Sequence, residues 1–355
     1  MKKATLYVRE DPALLNNSVF SGKSLYGMKS DVYMYVALKE EFKKLGVDIS
    51  TQDINPIAES LFVIVLNETS FFQSYTKPTG QKLYLILSEP PVYNFKDWAK
   101  ESHTIFDKVL VYDNTRVDNI KYFHYNFAID FESFGKTELV SEKEFSEKKL
   151  CVLMAGTFSV LPHKKEMKSL LHERYRAIRW FNKNFPSDLD FYSRVAIEKK
   201  FEEFRGVSIL KKLIPSLVKK IAHVKYVNNC ASVFKGSADA DKKVEIMKSY
   251  KFYLCYENTY GINGLISEKI FDCFAAGCIP IYEGAPDISR YIPKNCFINK
   301  EDFESYAELH TYLVNMTYKE FTFYIENIIK FMSSEKINPF KVSTFTKTII
   351  SQIES

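Results

Sequence analysis

The stretch Tyr250-Lys-Phe-Tyr-Leu-Cys-Tyr-Glu-Asn-Thr-Tyr-Gly-Ile-Asn-Gly-Leu-Ile-Ser-Glu-Lys-Ile-Phe-Asp272 passes from an apolar run, through a loop marked by glycine, into a helical pattern. The chain holds 12 glycines, and Gly261, Gly264, Gly277 and Gly284 all fall within 24 residues. Glycine lets the loop turn tightly, and Ser267 is placed to cap the helix that starts beside it. Ile270, Phe271, Phe274 and Ala275 then repeat at helical spacing, and residues 278–282 read as the next strand. Strand, loop, helix, strand is the unit of a doubly wound α/β fold.

Working outward, the same alternation recurs on both sides. Toward the N-terminus, strands are expected at 5–9, 61–66, 82–88, 108–113 and 122–127. Between the first two, Val32, Val36, Leu38, Phe42 and Leu45 mark a helix over 31–45. The unbroken run Leu83-Tyr-Leu-Ile-Leu87 suits a sheet covered on both faces. Residues 134–149 are polar and charged and read as a linker. After them come strands at 150–155, 190–192 and 252–256 and helices at 164–184, 209–222 (interrupted at Pro215) and 267–276. The tail from 302 to 355 reads as mostly helical, broken near Pro339. Two Rossmann-like halves of this kind place their natural ligand site in the cleft between them.

At 355 residues and 46% hydrophobic against 26% charged, the chain has the balance of two soluble globular domains. Its apolar runs are far shorter than the roughly 20 residues that cross a bilayer. The start Met1-Lys-Lys3 leads straight into a strand, without the apolar segment of a secretory signal. A net charge of +5 and a pI of about 8.6 fit an anionic small ligand, or loose contact with anionic lipid. A dedicated nucleic-acid binder is expected to be more basic. The six cysteines show no C-x-x-C spacing and read as reduced, buried thiols, and the six histidines include no H-E-x-x-H. Gly261-Ile-Asn-Gly264 is not a G-x-G-x-x-G, and Asn17 stands where a P-loop ending in Gly22-Lys-Ser24 needs glycine. A dinucleotide dehydrogenase and a P-loop kinase are therefore disfavoured.

Chemistry concentrates in the opening stretch. Free N–H groups at the helix start face any phosphate, and Lys269 adds a cation at the end where the helix dipole disfavours one unless an anion is bound. The competing reading makes Glu268 and Lys269 a solvated first turn, with the apolar positions as the packing face. Asp188-Leu-Asp190 has the spacing of a metal-binding D-x-D, but Asp190 leads into a strand.

The run Tyr250 to Asn258, then Gly264-Leu-Ile-Ser-Glu-Lys-Ile-Phe-Asp272, Gly277-Cys-Ile-Pro-Ile-Tyr-Glu-Gly-Ala-Pro286, Tyr291-Ile-Pro293 and Phe297-Ile298 resembles the signature region of glycosyltransferase family 10, the α-1,3/1,4-fucosyltransferases. Leu171-His-Glu-Arg174 and the residues up to Phe181 resemble the arginine-bearing helix of its bacterial members, and Leu87-Ser-Glu-Pro-Pro91 their N-terminal acidic loop. The resemblance implies a GT-B fold, with two Rossmann-like domains facing a central cleft. Its expected parts are an acceptor-binding domain at 1–145, a nucleotide-sugar domain at 146–335 and a helical tail at 336–355. It implies an inverting transfer of L-fucose from GDP-fucose to a glycan hydroxyl, of lipopolysaccharide, O-antigen or capsule type.

Residue by residue, the resemblance makes Glu89 the general base. It assigns donor binding to Arg174, Tyr253, Asn258, Ser267, Glu268 and Lys269, with Arg176 or Arg179 as substitutes for Arg174. Lys269 and Arg174 would hold the diphosphate, so no metal is required and no prosthetic group is implied. No nucleic-acid partner is expected, and no oligomeric state is readable. Relatives in animals carry a membrane anchor and stem; the expectation here is a cytoplasmic enzyme with peripheral contact at the inner membrane. Leu265 and Ser267 stand where the family has Gly-Tyr-(Ile/Val)-Thr-Glu-Lys, and Asp190-Phe-Tyr-Ser193 replaces a Tyr-Gly ending. These departures leave open another nucleotide-deoxysugar donor on the same fold, or a non-catalytic nucleotide-sugar scaffold.

Overall fold

Each apolar run read above as a strand lies in one of two all-parallel sheets. The structure, a computed structural model, describes residues 1–9, 11–22, 30–155, 169–193, 230–239 and 242–354. The expected helix 209–222 and the beginning of the expected helix 164–184 lie outside the described residues.

By contacts the chain forms two compact units. The first comprises residues 1–134, 262–268 and 335–355, and the second 135–261 and 269–334. The first unit contains strands β1 (Lys2–Tyr7), β2 (Val47–Thr51), β3 (Phe62–Leu66), β4 (Lys82–Leu87), β5 (Lys108–Val111) and β6 (Tyr122–His124). They lie in the order β2-β1-β3-β4-β5-β6. Ala4, Leu6, Val63, Ile64, Val65, Leu83 and Leu85 are wholly buried, as a parallel sheet covered on both faces requires. Helix Ser30–Lys44 packs Leu38 and Phe42 into this core.

Strand β2 had no signal in the sequence because Val47-Asp-Ile-Ser-Thr51 is half polar. Ser50 and Thr51 are buried, and the strand's polar groups are satisfied locally. Asn17 accepts from the Thr51 N–H at 2.9 Å and donates its own N–H to Thr51 Oγ1 at 3.0 Å.

The second unit has β7 (Lys149–Ala155), β8 (Leu189–Ser193), β9 (Tyr250–Tyr256), β10 (Ile279–Glu283) and the two-residue β11 (Ile298–Asn299), in the order β11-β10-β9-β7-β8. Helices Leu170–Asn184, Glu268–Ala275, Tyr306–Val314 and Tyr318–Met332 complete its α/β arrangement.

Two boundaries differ from the sequence reading. The stretch read as a linker contains helix Glu142–Glu147, closed by a capping box between Ser141 and Glu144. Phe145 of that helix packs on Phe321, ring centroids 5.1 Å apart, so the chain changes units after residue 134 and not near 145. The final segment, set apart as a tail, is built into the first unit. Helix Val342–Glu354 buries Phe345 and Ile349 there, Phe345 lies 5.7 Å from Tyr125, and the Tyr84 hydroxyl donates to Ile353 O. An apolar helix face needs a partner, and this one finds it on the sheet farthest from it in sequence.

Candidate functional site

Functional candidates gather at the carboxyl ends of the strands in each unit, where open α/β sheets bind ligands. In the second unit, Arg174 comes from helix Leu170–Asn184 and is only 6% exposed. Its guanidinium donates to Tyr256 O, to Glu257 O at 3.0 Å and to Asn258 Oδ1 at 3.0 Å. The arginine thus grips the loop that leaves β9, and two of the expected site residues, Arg174 and Asn258, are in direct contact. Arg176 and Arg179, the substitutes considered, are exposed on the opposite side of the helix. Arg176 pairs with Glu173 at 3.2 Å, and Arg179 lies over the Tyr175 ring.

Lys269 is in the first turn of helix Glu268–Ala275, and its ammonium lies 3.2 Å from Glu257 Oε2. Glu257 is 1% exposed. Its N–H donates to Glu283 O, which places it against Gly284, where an added Cβ would sit 2.6 Å from Glu257 Cγ. Gly284 is therefore a glycine because of close approach. Sequence reasoning missed Glu257. The available signal was a carboxylate directly after an unbroken buried strand. Ser169 and Thr259 were missed as well; they form an antiparallel bridge beside this loop. Both are buried, and neither hydroxyl oxygen has a hydrogen-bond partner. Polar atoms in that condition cost roughly 1–3 kcal/mol each.

Tyr253 takes a place in the sheet core. Its hydroxyl donates to Met154 O at 3.0 Å, and burial pushes its pKa up to about 12. Asp188 and Asp190 do not converge. Asp188 pairs with His310 at 2.7 Å. Asp190 takes Lys149 at 2.8 Å, Lys235 at 3.3 Å and the Tyr250 hydroxyl at 2.7 Å. Burial raises the Asp190 pKa, but the bonds from Lys149 and Tyr250 outweigh it and hold the carboxyl below its usual value. Among the described residues no three His, Cys, Asp or Glu side chains group as a metal site.

In the first unit, Glu89 follows β4 and carries an exposed side chain. Segment 262–268 belongs to this unit as well. Leu265 is 3% exposed and packs into the sheet core, and Ser267 is buried. Gly264, at φ +74°, passes so close to the chain after β5 that an added Cβ would stand 2.2 Å from Tyr112 O. The expected site residues are thus divided. Glu89, Ser267 and Glu268 belong to the first unit, and Arg174, Tyr253, Asn258 and Lys269 to the second.

Residues 202–335 match the pattern of glycosyltransferase family 10 (fucosyltransferase), C-terminal region. A stretch of 71 residues is 39% identical to the α-(1,3)-fucosyltransferase FucT of Helicobacter pylori, covering 20% of this chain and 15% of that protein. Over 103 residues the chain is 34% identical to 4-galactosyl-N-acetylglucosaminide 3-α-L-fucosyltransferase 9 of Mus musculus, covering 26% of this chain and 28% of the relative. The matched stretches therefore span well under half the length of these relatives. A crystal structure of an α1,3-fucosyltransferase with GDP-fucose superposes with a TM-score of 0.51 at 13% identity, over all of this chain and 90% of that one. That likeness concerns the fold, which is the GT-B fold of glycosyltransferases.

Proposed function

We propose that the protein is an inverting fucosyltransferase using GDP-fucose, a reading supported by the match of residues 202–335 to the C-terminal pattern of glycosyltransferase family 10. The observation that carries the reading is the cluster at the end of β9, where Arg174 bonds to Asn258 and to the backbone of Glu257, the partner of Lys269; Glu257, Asn258 and Lys269 lie within the matched residues. In this reading Lys269 and Arg174 face the diphosphate. An ammonium has three donors, so Lys269 can keep Glu257 and still reach a phosphate oxygen. Asn258 and Tyr253 are assigned to the nucleotide, and Ser267 and Glu268 to the donor hydroxyls.

The transfer runs as a displacement at the anomeric carbon. Glu89 takes the proton of the acceptor hydroxyl as that oxygen bonds to the anomeric carbon. The bond to the diphosphate oxygen breaks on the opposite face, and GDP leaves with the electron pair. A positioned base supplies roughly 10²–10⁴-fold in rate. Cations aimed at the leaving group act mainly on the transition state. The acceptor belongs to the glycan class of lipopolysaccharide, O-antigen or capsule precursors, and the proposed location is the cytoplasm, with peripheral contact at the inner membrane.

Leu265 packs in the core of its unit, so its difference from the family's aromatic alters how the loop is anchored. The donor is therefore tested directly. Thermal unfolding with GDP, GDP-fucose, UDP and CMP at matched excess should shift the midpoint with GDP and GDP-fucose alone. A ligand at about 100 times its Kd adds roughly 2.7 kcal/mol. A shift with UDP or CMP instead would assign another nucleotide-deoxysugar. Glu89→Gln should leave the GDP shift in place and reduce fucose transfer to a 4-galactosyl-N-acetylglucosaminide by roughly 10²–10⁴-fold. Undiminished transfer would remove Glu89 as the base, and binding without turnover in the unmodified protein would favour a scaffold.

A further inference from the structure

Strands β1, β3 and β4 are neighbours in the first sheet, and the residues just past their carboxyl ends converge on the backbone of Glu89. Asn67, after β3, accepts at one oxygen, Oδ1, from two successive N–H groups, Ser88 at 2.7 Å and Glu89 at 2.8 Å. Its Nδ2 donates to Ser88 Oγ at 2.6 Å. The carbonyl of Glu89 accepts from Trp98 Nε1 at 2.8 Å, and Pro90 follows with its φ locked by the ring. Both backbone polar groups of Glu89 are thus tied, which sets the direction of its Cα–Cβ bond while the side chain stays exposed.

The tie has a second layer. Arg9, after β1, donates from its guanidinium to the carbonyl of Asn67 and to Asp97 Oδ2 at 3.0 Å. Buried Asp97 also accepts from the N–H and hydroxyl of Thr69, at 3.0 and 2.9 Å. Arg9 and Asn67 both adopt left-handed backbone, at φ +60° and +49°, a conformation that residues with a Cβ seldom take. Such outliers persist where the surroundings hold them, and they gather where geometry serves function.

We infer that Asn67, itself held by Arg9, is a positioning residue that aims the Glu89 carboxylate for proton abstraction. The inference rests on Glu89 being the base. A turn-stabilising role for Asn67 would need neither the convergence of two N–H groups on one oxygen nor the separate hold of Trp98 on the Glu89 carbonyl.

The test compares the full chain with Asn67→Gly, Asn67→Asp, Trp98→Phe and Glu89→Gln, using GDP-fucose and a 4-galactosyl-N-acetylglucosaminide acceptor. Glycine keeps the left-handed backbone and removes the amide. It should lower kcat roughly a hundredfold, the scale of a misplacement near 1 Å, while the donor KM stays within about twofold. Asn67→Asp keeps the accepting oxygen and should recover most of that loss. Trp98→Phe removes the donor to the Glu89 carbonyl, together with part of the buried ring that packs on Tyr112 and Arg116, and should show the same fall in kcat, at roughly tenfold, with the donor KM unchanged. It reports on the hold even if Asn67→Gly fails to fold. Unchanged kcat in Asn67→Gly and Trp98→Phe, with Glu89→Gln inactive, overturns the positioning role and leaves the base in place. Full transfer by Glu89→Gln overturns both.

Discussion

A lysine in the first turn of a helix opposes the helix dipole unless negative charge is close. Lys269 has that charge in Glu257, 3.2 Å away and buried. The lysine was legible in the sequence as a cation at an unusual place; its partner was not, because twelve residues separate the two and only the fold joins them. Replacing Lys269 with Ala should reduce transfer by roughly 10²–10³-fold, the usual cost of one preorganised partner of the leaving charge. Glu257→Ala should destabilise the protein by about 3 kcal/mol, since it takes the ion-pair partner from a largely buried cation. The double variant should lose less stability than the two single losses combined, which denaturant unfolding measures directly. Strictly additive losses would show that the pair does not act as one unit.

Elements carry two further expectations. Gly264 threads past Tyr112 O with no room for a methyl group and holds φ at +74°. Gly264→Ala should therefore destabilise by more than about 1 kcal/mol, because both the backbone conformation and the close approach oppose a Cβ. An unchanged midpoint would mean that the loop moves aside freely. Strands β7, β8 and β9 are tied by Asp190 of β8, which takes Lys149 from adjacent β7 and Tyr250 from β9 beyond it. Its carboxyl pKa is lower in the folded protein than in the unfolded chain, so its contribution is complete above the ordinary carboxylate range. That contribution is lost as pH falls through the depressed value. Asp190→Asn should lower the thermal midpoint at neutral pH, and the gap from the unmodified protein should close as the pH drops below that point. A constant gap would assign the effect to shape and not to charge. In the same way Asp188-Leu-Asp190, which invited a metal in the sequence, has its two carboxylates drawn to separate partners, His310 and Lys149.

For the whole molecule, the distribution of the chain between its two units matters most. Segments 262–268 and 335–355 return to the first unit after the chain has built most of the second. The closing helix is part of that unit's core, through Phe345, Ile349 and the bond from Tyr84 to Ile353 O. A chain ended after residue 334 should leave the first sheet with an uncovered apolar face. It should bind a hydrophobic dye and lose the cooperative unfolding of that unit. Native-like unfolding of the shortened chain would show that the helix only decorates the surface. No helix among the described residues is long and apolar enough to cross a membrane.

The sequence by itself determined that this is an α/β protein with parallel sheets, where most of the strands run, and which segment resembles the signature of glycosyltransferase family 10. Apolar runs, glycine clusters and ordered motif matches are local, and local spacing is what a sequence displays. It also named Arg174, Asn258 and Lys269, because their neighbours in the chain match a known pattern. Tertiary structure alone decided that Arg174 and not Arg176 or Arg179 faces inward, that Glu257 partners Lys269, and that Asn67 and Arg9 hold the backbone of Glu89. It also decided that the tail completes the first core and that polar strand β2 belongs in the sheet. Each of these depends on groups far apart in the chain meeting in a medium where an unpaired polar group or an uncovered apolar face is costly. Such pairings follow from three-dimensional closure, which the local spacing of residues does not display.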